Sequence, residues 1–176
     1  MSDYVDMINP LRYPQILPVR STMQVRRLKA RMEDERLPRG ADRRQHVKLG
    51  TGGLSDVEWT VQLLQLQHAA EYPGLRTTST LPALAAARDE GLVSASDHEV
   101  LRTAWLMATE VRNAITMYRG KPSDSLPSDI RELEAAARLM GYPQGSAQLL
   151  VDDYLRVTRW ARSTMEVIFY GDDPTD

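Results

Sequence analysis

The chain has 176 residues, 42% of them hydrophobic and 26% charged, a globular composition at a length typical of one domain. Aromatics reach only 6% and Leu, Ala, Arg and Glu dominate, which disfavours a β-sandwich or barrel; the absence of cysteine excludes disulfides and thiolate metal sites and makes a reducing cytoplasm the expected compartment. A net charge of −2 gives no global pull toward nucleic acid, and no apolar run approaches the roughly 18 residues of a membrane span or opens the chain as a secretory leader.

Residues 1–20 hold Pro10, Pro14 and Pro18, show no helical period and read as an extended arm laid over a surface. Residues 21–171 read as a helical bundle domain, followed by an acidic tail over 172–176. Ser21 with Gln24 forms a capping box, and Val25, Leu28 and Met32 follow at helical spacing until Pro38 and Gly40 break the helix. Ser55 with Glu58 forms a second box, opening a helix from Asp56 to about Ala70 whose run WTVQLLQLQHAA carries no formal charge, as suits the middle of a bundle. The third helix runs from about Leu81 to Glu90, with Pro82 in its first turn and Gly91 just past its end. A Ser96–Glu99 box opens the fourth, in which Leu101, Trp105, Ala108, Val111 and Ile115 mark one face as far as Tyr118. The fifth follows Ser128 and ends at Gly141-Tyr142-Pro143, and the sixth follows Ser146 with Leu150, Tyr154, Val157, Ala161, Met165 and Ile168 on one side. The fold class is all-α: an elongated antiparallel bundle of about six helices with an extended N-terminal arm.

Charge is not evenly spread. From Arg20 to Lys48 there are ten basic and four acidic residues, whereas from Leu49 onward there are eleven and eighteen. Arg26, Arg27, Arg31 and Arg36 read as a solvated helix face or as a contact for a nucleotide or an acidic partner. Arg102 and Arg112 are expected to pair with nearby acids such as Glu99 and Glu110.

The focal stretch is the run from His46 to Trp59. Gly50, Gly52 and Gly53 permit positive φ and close backbone approach, and a helix N-terminus follows at once, where free N–H groups favour an anion and Lys48 adds a charge. An anion-binding or domain-contact loop and a tight structural cap both fit these residues. The run matches neither a P-loop, which needs Gly-Lys-Ser/Thr after its second glycine, nor a dinucleotide fingerprint, which needs a glycine where Ser55 stands. Asp56 and Glu58 are candidate metal ligands, but two carboxylates in a first helical turn are explained more simply by capping. His46, His68 and His98 follow no zinc spacing, and His68 reads as an interior residue. No nucleophile elbow occurs, and no complete catalytic constellation can be assembled from the chain.

Lys48, Gly50, Gly52, Gly53, Asp56, Glu58 and Trp59 match throughout a Lys-x-Gly-x-Gly-Gly-x-x-Asp-x-Glu-aromatic motif, by which the chain resembles the bifunctional glutamine synthetase adenylyltransferase/adenylyl-removing enzymes. Further similarity to the actinobacterial branch lies in Arg27, Lys29, Ala30 and Arg31, in Glu35 to Gly40, Val61 to Leu66, Leu75 to Leu81, Arg112 to Ile115 and Ser123 to Pro127, covering about residues 9–170. The resemblance implies a helical domain, cut from a protein several times longer, that accompanies the C-terminal, attaching nucleotidyltransferase half. That enzyme transfers AMP from ATP to a tyrosine of glutamine synthetase with Mg²⁺, and its direction is set by the PII signal protein and glutamine. The family's catalytic acids lie in Gly-Ser…Asp-x-Asp and Asp-x-Arg-Leu-Arg-Pro segments, neither of which occurs here. The fragment alone is therefore expected to be inactive. The resemblance makes Lys48, Gly50, Gly52 and Gly53 a hinge against the catalytic domain or a nucleotide-proximal loop. The alternatives are a pure interaction module for the PII protein or the partner half, the helical domain of a PII uridylyltransferase-like enzyme, and a free-standing helical nucleotide-binding protein.

Overall fold

The computed structural model describes residues 2–171, so the acidic tail over 172–176 lies outside the described residues. Seven α-helices follow in order: α1 (Ser2–Arg12), α2 (Val19–Arg36), α3 (Leu54–His68), α4 (Thr80–Asp89), α5 (Ala95–Arg119), α6 (Ile130–Leu139) and α7 (Ala147–Met165). A 3₁₀ turn at Pro73–Leu75 precedes α4, and α7 continues into a π turn over Glu166–Tyr170. Among the described residues the β pairing is confined to an isolated antiparallel bridge between His46 and Ser125.

The extended arm expected over residues 1–20 is corrected. Residues Ser2–Arg12 are helical, with Pro10 inside the helix. Local periodicity could not show this, because the segment is fixed from one end by a tertiary anchor. Tyr13 donates its N–H to the Asn9 carbonyl and buries its ring with Leu64, Ala69 and Leu75, while the Arg12 guanidinium lies 5.2 Å from the ring centroid. Pro14 and Pro18 then restrict the short linker. α2 starts at Val19, two residues before the expected box, because Pro18 in extended geometry (ψ 143°) supplies the carbonyl that accepts from Ser21 and Thr22 N–H.

α5 is the central element and packs against α3, α4, α6 and α7. Its expected face holds: Leu101, Ala108, Val111 and Ile115 are buried, joined by Ala104 and Ala114. On one side Val111 and Ile115 pack with Leu133, Leu150, Tyr154 and the loop residues Val47 and Leu126. On the other, Leu101 packs with Val57, Val61, Leu84, Met165 and Phe169. Trp105 and Met107 touch both clusters and join them into one core. Burying side chains such as Leu101 and Ile115 contributes about 2 kcal/mol each.

Helix ends follow local chemistry at slightly shifted positions. Ser94 rather than Ser96 caps α5, accepting the Asp97 N–H at 3.0 Å. Asp129 rather than Ser128 caps α6, accepting from Arg131 and Glu132 N–H. α4 ends as expected at Gly91, whose φ of +72° lets Gly91 and Leu92 return N–H groups to the last turn. No helix among the described residues is long and apolar enough to cross a membrane.

Candidate functional site

The stretch between α2 and α3 contains little regular structure but is closely fastened. Val47 N–H donates to the Asp124 carbonyl at 2.6 Å and Leu126 N–H to the Gln45 carbonyl at 2.9 Å, pinning the loop to the segment between α5 and α6. His46 is buried, and its Nδ1 accepts the Leu49 N–H at 3.0 Å, which requires an unprotonated Nδ1. Burial, the largest influence, lowers the His46 pKa despite the nearby Asp124.

Each glycine of the motif is packed against main chain. A Cβ at Gly50 would stand 2.1 Å from the His46 carbonyl oxygen, and one at Gly53 would stand 2.5 Å from that of Val47. At Gly52, where φ is +70°, the Cβ would fall 1.8 Å from the Thr158 carbonyl oxygen of α7. The loop is thus pressed backbone to backbone onto α7. Its amides are occupied within the chain: Gly50 N–H donates to His46, Thr51 to Arg43, Gly53 to Gly50, Leu54 to Val47 and Ser55 to Lys48, all at carbonyl oxygens. Gly52 N–H donates to Asp56 Oδ2 at 2.7 Å. The amide groups that sequence reasoning offered to an anion satisfy the loop itself. Lys48 is exposed, as are Arg43 and Arg44 earlier in the loop, and of these Lys48 alone belongs to the glycine motif.

Asp56 is the hub of a charge cluster. Gly53 is the N-cap of α3 and Asp56 lies in the first turn, where its carboxylate accepts the N–H of Gly52, the residue before the cap; the expected Ser55–Glu58 box does not form, because Ser55 N–H donates to the Lys48 carbonyl. Asp56 Oδ1 also accepts from Lys29 Nζ, and Oδ2 lies 3.3 Å from Arg162 NH1. Lys29 pairs with Glu33, while Arg162 reaches Glu33 at 2.9 Å and Glu166 at 2.6 Å. Burial disfavours the Arg162 charge, but Asp56, Glu166 and Glu33 outweigh it and raise its pKa. Burial likewise works to raise Glu33, yet Lys29 and Arg162 bring it below its ordinary value. Two cations and three carboxylates thereby connect α2, α3, α7 and the π turn.

Glu58 faces a different group. It is half-buried, and burial raises its carboxyl above the usual range against the opposing charges of Lys48 and Arg112. The buried indole N–H of Trp105 lies toward it without closing a hydrogen bond. Arg112 pairs with Asp124 at 2.7 Å, not with Glu110, because the chain returns after α5 to place Asp124 beside it. Arg102 pairs with Glu99 as expected, at 3.2 Å. Asp56 and Glu58 therefore diverge into separate surroundings. Among the described residues no three His, Asp or Glu side chains gather in a metal-binding arrangement.

Sequence reasoning missed Lys29 and Arg162. Leu28, which shares the helical spacing of Val25 and Met32, is 40% exposed, whereas Lys29 is 2% exposed. The available signal was the Lys29–Glu33 spacing of four residues, with Asp56 as a buried carboxylate awaiting a cation. Of the α2 arginines, Arg26 leaves the expected solvated face and donates through Nε to the Phe169 carbonyl at 2.7 Å.

The described residues form an all-helical domain whose Lys-x-Gly-x-Gly-Gly-x-x-Asp-x-Glu-Trp loop is pressed onto α7 beside the ion cluster of Lys29, Asp56 and Arg162. The family model described as GlnD PII-uridylyltransferase matches residues 26–169, and the chain belongs to this family. It is 55% identical over 169 residues to a protein of Streptomyces avermitilis named bifunctional glutamine synthetase adenylyltransferase/adenylyl-removing enzyme, a match covering 96% of this chain and 17% of that protein. Proteins of the same name from Streptomyces coelicolor and Leifsonia xyli are 54% and 50% identical, over 96% and 97% of the chain and 17% of each relative. The chain thus spans about a sixth of the length of these curated relatives.

Proposed function

We propose that this chain is the helical domain accompanying the adenylyltransferase half of an enzyme that moves AMP from ATP onto a tyrosine of glutamine synthetase. In this reading ATP and Mg²⁺ are held by an adjacent nucleotidyltransferase domain, glutamine synthetase is the protein substrate, and the PII signal protein is a regulatory partner. The helical domain positions its neighbour and supplies no catalytic acid. The observation that carries the reading is identity of about half along almost the entire chain to proteins bearing the adenylyltransferase name. The uridylyltransferase alternative has no comparable support among those relatives.

Within this reading Lys48, Gly50, Gly52 and Gly53 form the hinge. The glycines set the loop's shape against α7, and the exposed Lys48 side chain reaches the neighbouring domain or the nucleotide it holds. The test supplies ATP labelled at its α-phosphate, which stays with the transferred AMP while pyrophosphate leaves, with Mg²⁺ and glutamine synthetase, to this chain alone and to the chain joined to a nucleotidyltransferase domain. Label should enter glutamine synthetase only with the joined protein, and Lys48→Ala should lower the rate without loss of helicity. A folded joined protein that transfers no label overturns the reading.

A further inference from the structure

Where the glycine loop meets α7 there is a pocket of about 210 Å³, bordered by Arg44 and Thr51 from the loop and by Leu155, Arg159, Arg162 and Ser163 from α7. Among the described residues no carboxylate borders it. Arg159 makes no ion pair among the described residues, and Arg44 has only a loose one, 3.7 Å from Asp42. Arg162 commits Nε to Glu166 and NH1 to Glu33 and Asp56, leaving NH2 without a carboxylate partner among the described residues. The carboxylates that neutralise Arg162 hold its guanidinium in a fixed pose at the wall. The Ser163 hydroxyl is spent on the Arg159 carbonyl at 3.3 Å, so Thr51 is the loop hydroxyl facing the same space.

We infer that this pocket binds a phosphate group. Three arginines lining one pocket from two elements suit a tetrahedral ion with three terminal oxygens better than a carboxylate, whose two oxygens one guanidinium fork already satisfies. Leu155 gives the pocket an apolar wall, and the volume exceeds what a bare phosphate fills, so the pocket has room for an organic group carried on the phosphate. The inference does not depend on the adenylyltransferase reading, because it concerns side chains within this chain alone. It also differs from the anion site expected at the loop amides: the ligand would meet side chains beside the loop, while the amides stay bonded to the chain.

The test titrates the 176-residue chain with inorganic phosphate and with phenyl phosphate at constant ionic strength, following the arginine Nε–H resonances by NMR. Saturable shifts with a Kd near or below about 1 mM are expected for at least one of the two. Tighter binding of phenyl phosphate identifies a phosphate monoester as the ligand class, and equal or weaker binding identifies the free ion. Arg159→Ala and Arg44→Ala remove exposed side chains, so helical circular dichroism should be unchanged while affinity falls about tenfold in each. Arg156→Gln alters an arginine occupied by Asp153 at 2.5 Å and by the Trp160 ring at 5.4 Å, and should leave binding intact. Failure of both ligands to saturate overturns the inference, as does equal weakening by Arg156→Gln and Arg159→Ala, which would mark a diffuse charge effect.

Discussion

A methyl group at Gly52 would collide with the main chain of α7 and would also sit on a residue at positive φ. Gly52→Ala is therefore expected to cost about 3 kcal/mol or more in urea unfolding, since the loop must lift from α7 to admit it. Gly40 also has positive φ (+81°) but opens onto empty space, so Gly40→Ala should cost only about 1 kcal/mol, and the difference isolates the backbone contact. Lys29 presents a second expectation. Lys29→Ala leaves Asp56 buried with Arg162 as its remaining cation, and a loss of about 2–4 kcal/mol should appear in the same measurement. His46 carries a pH dependence. Its folded pKa lies below its ordinary 6.5, so the unfolded chain binds more protons in the interval between them. Stability is full above the ordinary value and declines as pH falls toward the folded one. His98 acts in the same direction through its own burial and the nearby Arg88. The decline in melting temperature from pH 7 to about pH 5 should shrink in His46→Asn, whose side-chain oxygen can still accept the Leu49 N–H.

Among the elements, the caps distinguish two kinds of helix start. Ser94 and Asp129 each accept backbone N–H groups at the starts of α5 and α6, whereas Ser146 precedes α7 without a side-chain cap bond. Ser94→Ala and Asp129→Ala should each lower stability by about 1 kcal/mol, while Ser146→Ala should change it by a few tenths at most, as read by thermal melting. Most of the helix plan was legible because apolar spacing and breakers such as Gly91 act over a few residues. α1 was not, because Tyr13 is held by residues 50 or more positions away. The burial of Lys29 on α2 was not legible for a related reason. A buried lysine is stable only through Asp56 and Glu33, and helical periodicity counts Lys29 as a solvent residue whatever its partners. The glycine loop was legible as a place of close backbone approach, but not which backbone would approach. Thr158 lies more than a hundred residues along the chain, and only the fold decides that its carbonyl meets Gly52 rather than a ligand meeting the loop amides.

At the level of the whole molecule, order should decline outward from α5. This helix is enclosed by α3, α4, α6 and α7, while α2 contacts the body mainly through α3, the Lys29–Asp56 pair and the Arg26 bond to Phe169. Native-state hydrogen exchange should find the slowest amides in α5 around Ala104 to Ile115 and much faster ones in α1 and α2. Equal protection of α2 and α5 would mean that the ion cluster binds α2 as firmly as the apolar core binds α5. Apolar side chains also remain in solvent along this outer region: Met7, Leu11, Ile16 and Val19 are each at least 65% exposed.

Trp59 occupies the boundary between these layers. Its indole stands edge-on to Phe169 with ring centroids 6.5 Å apart, and it borders a small cavity together with Lys29, Met32 and Glu33 of α2. If α2 lifts, water reaches an indole that its seated position shelters, while Trp105 remains between the two core clusters. The molecule thus carries a built-in optical gauge: emission from Trp59 would follow the seating of one helix, in real time and without any attached dye.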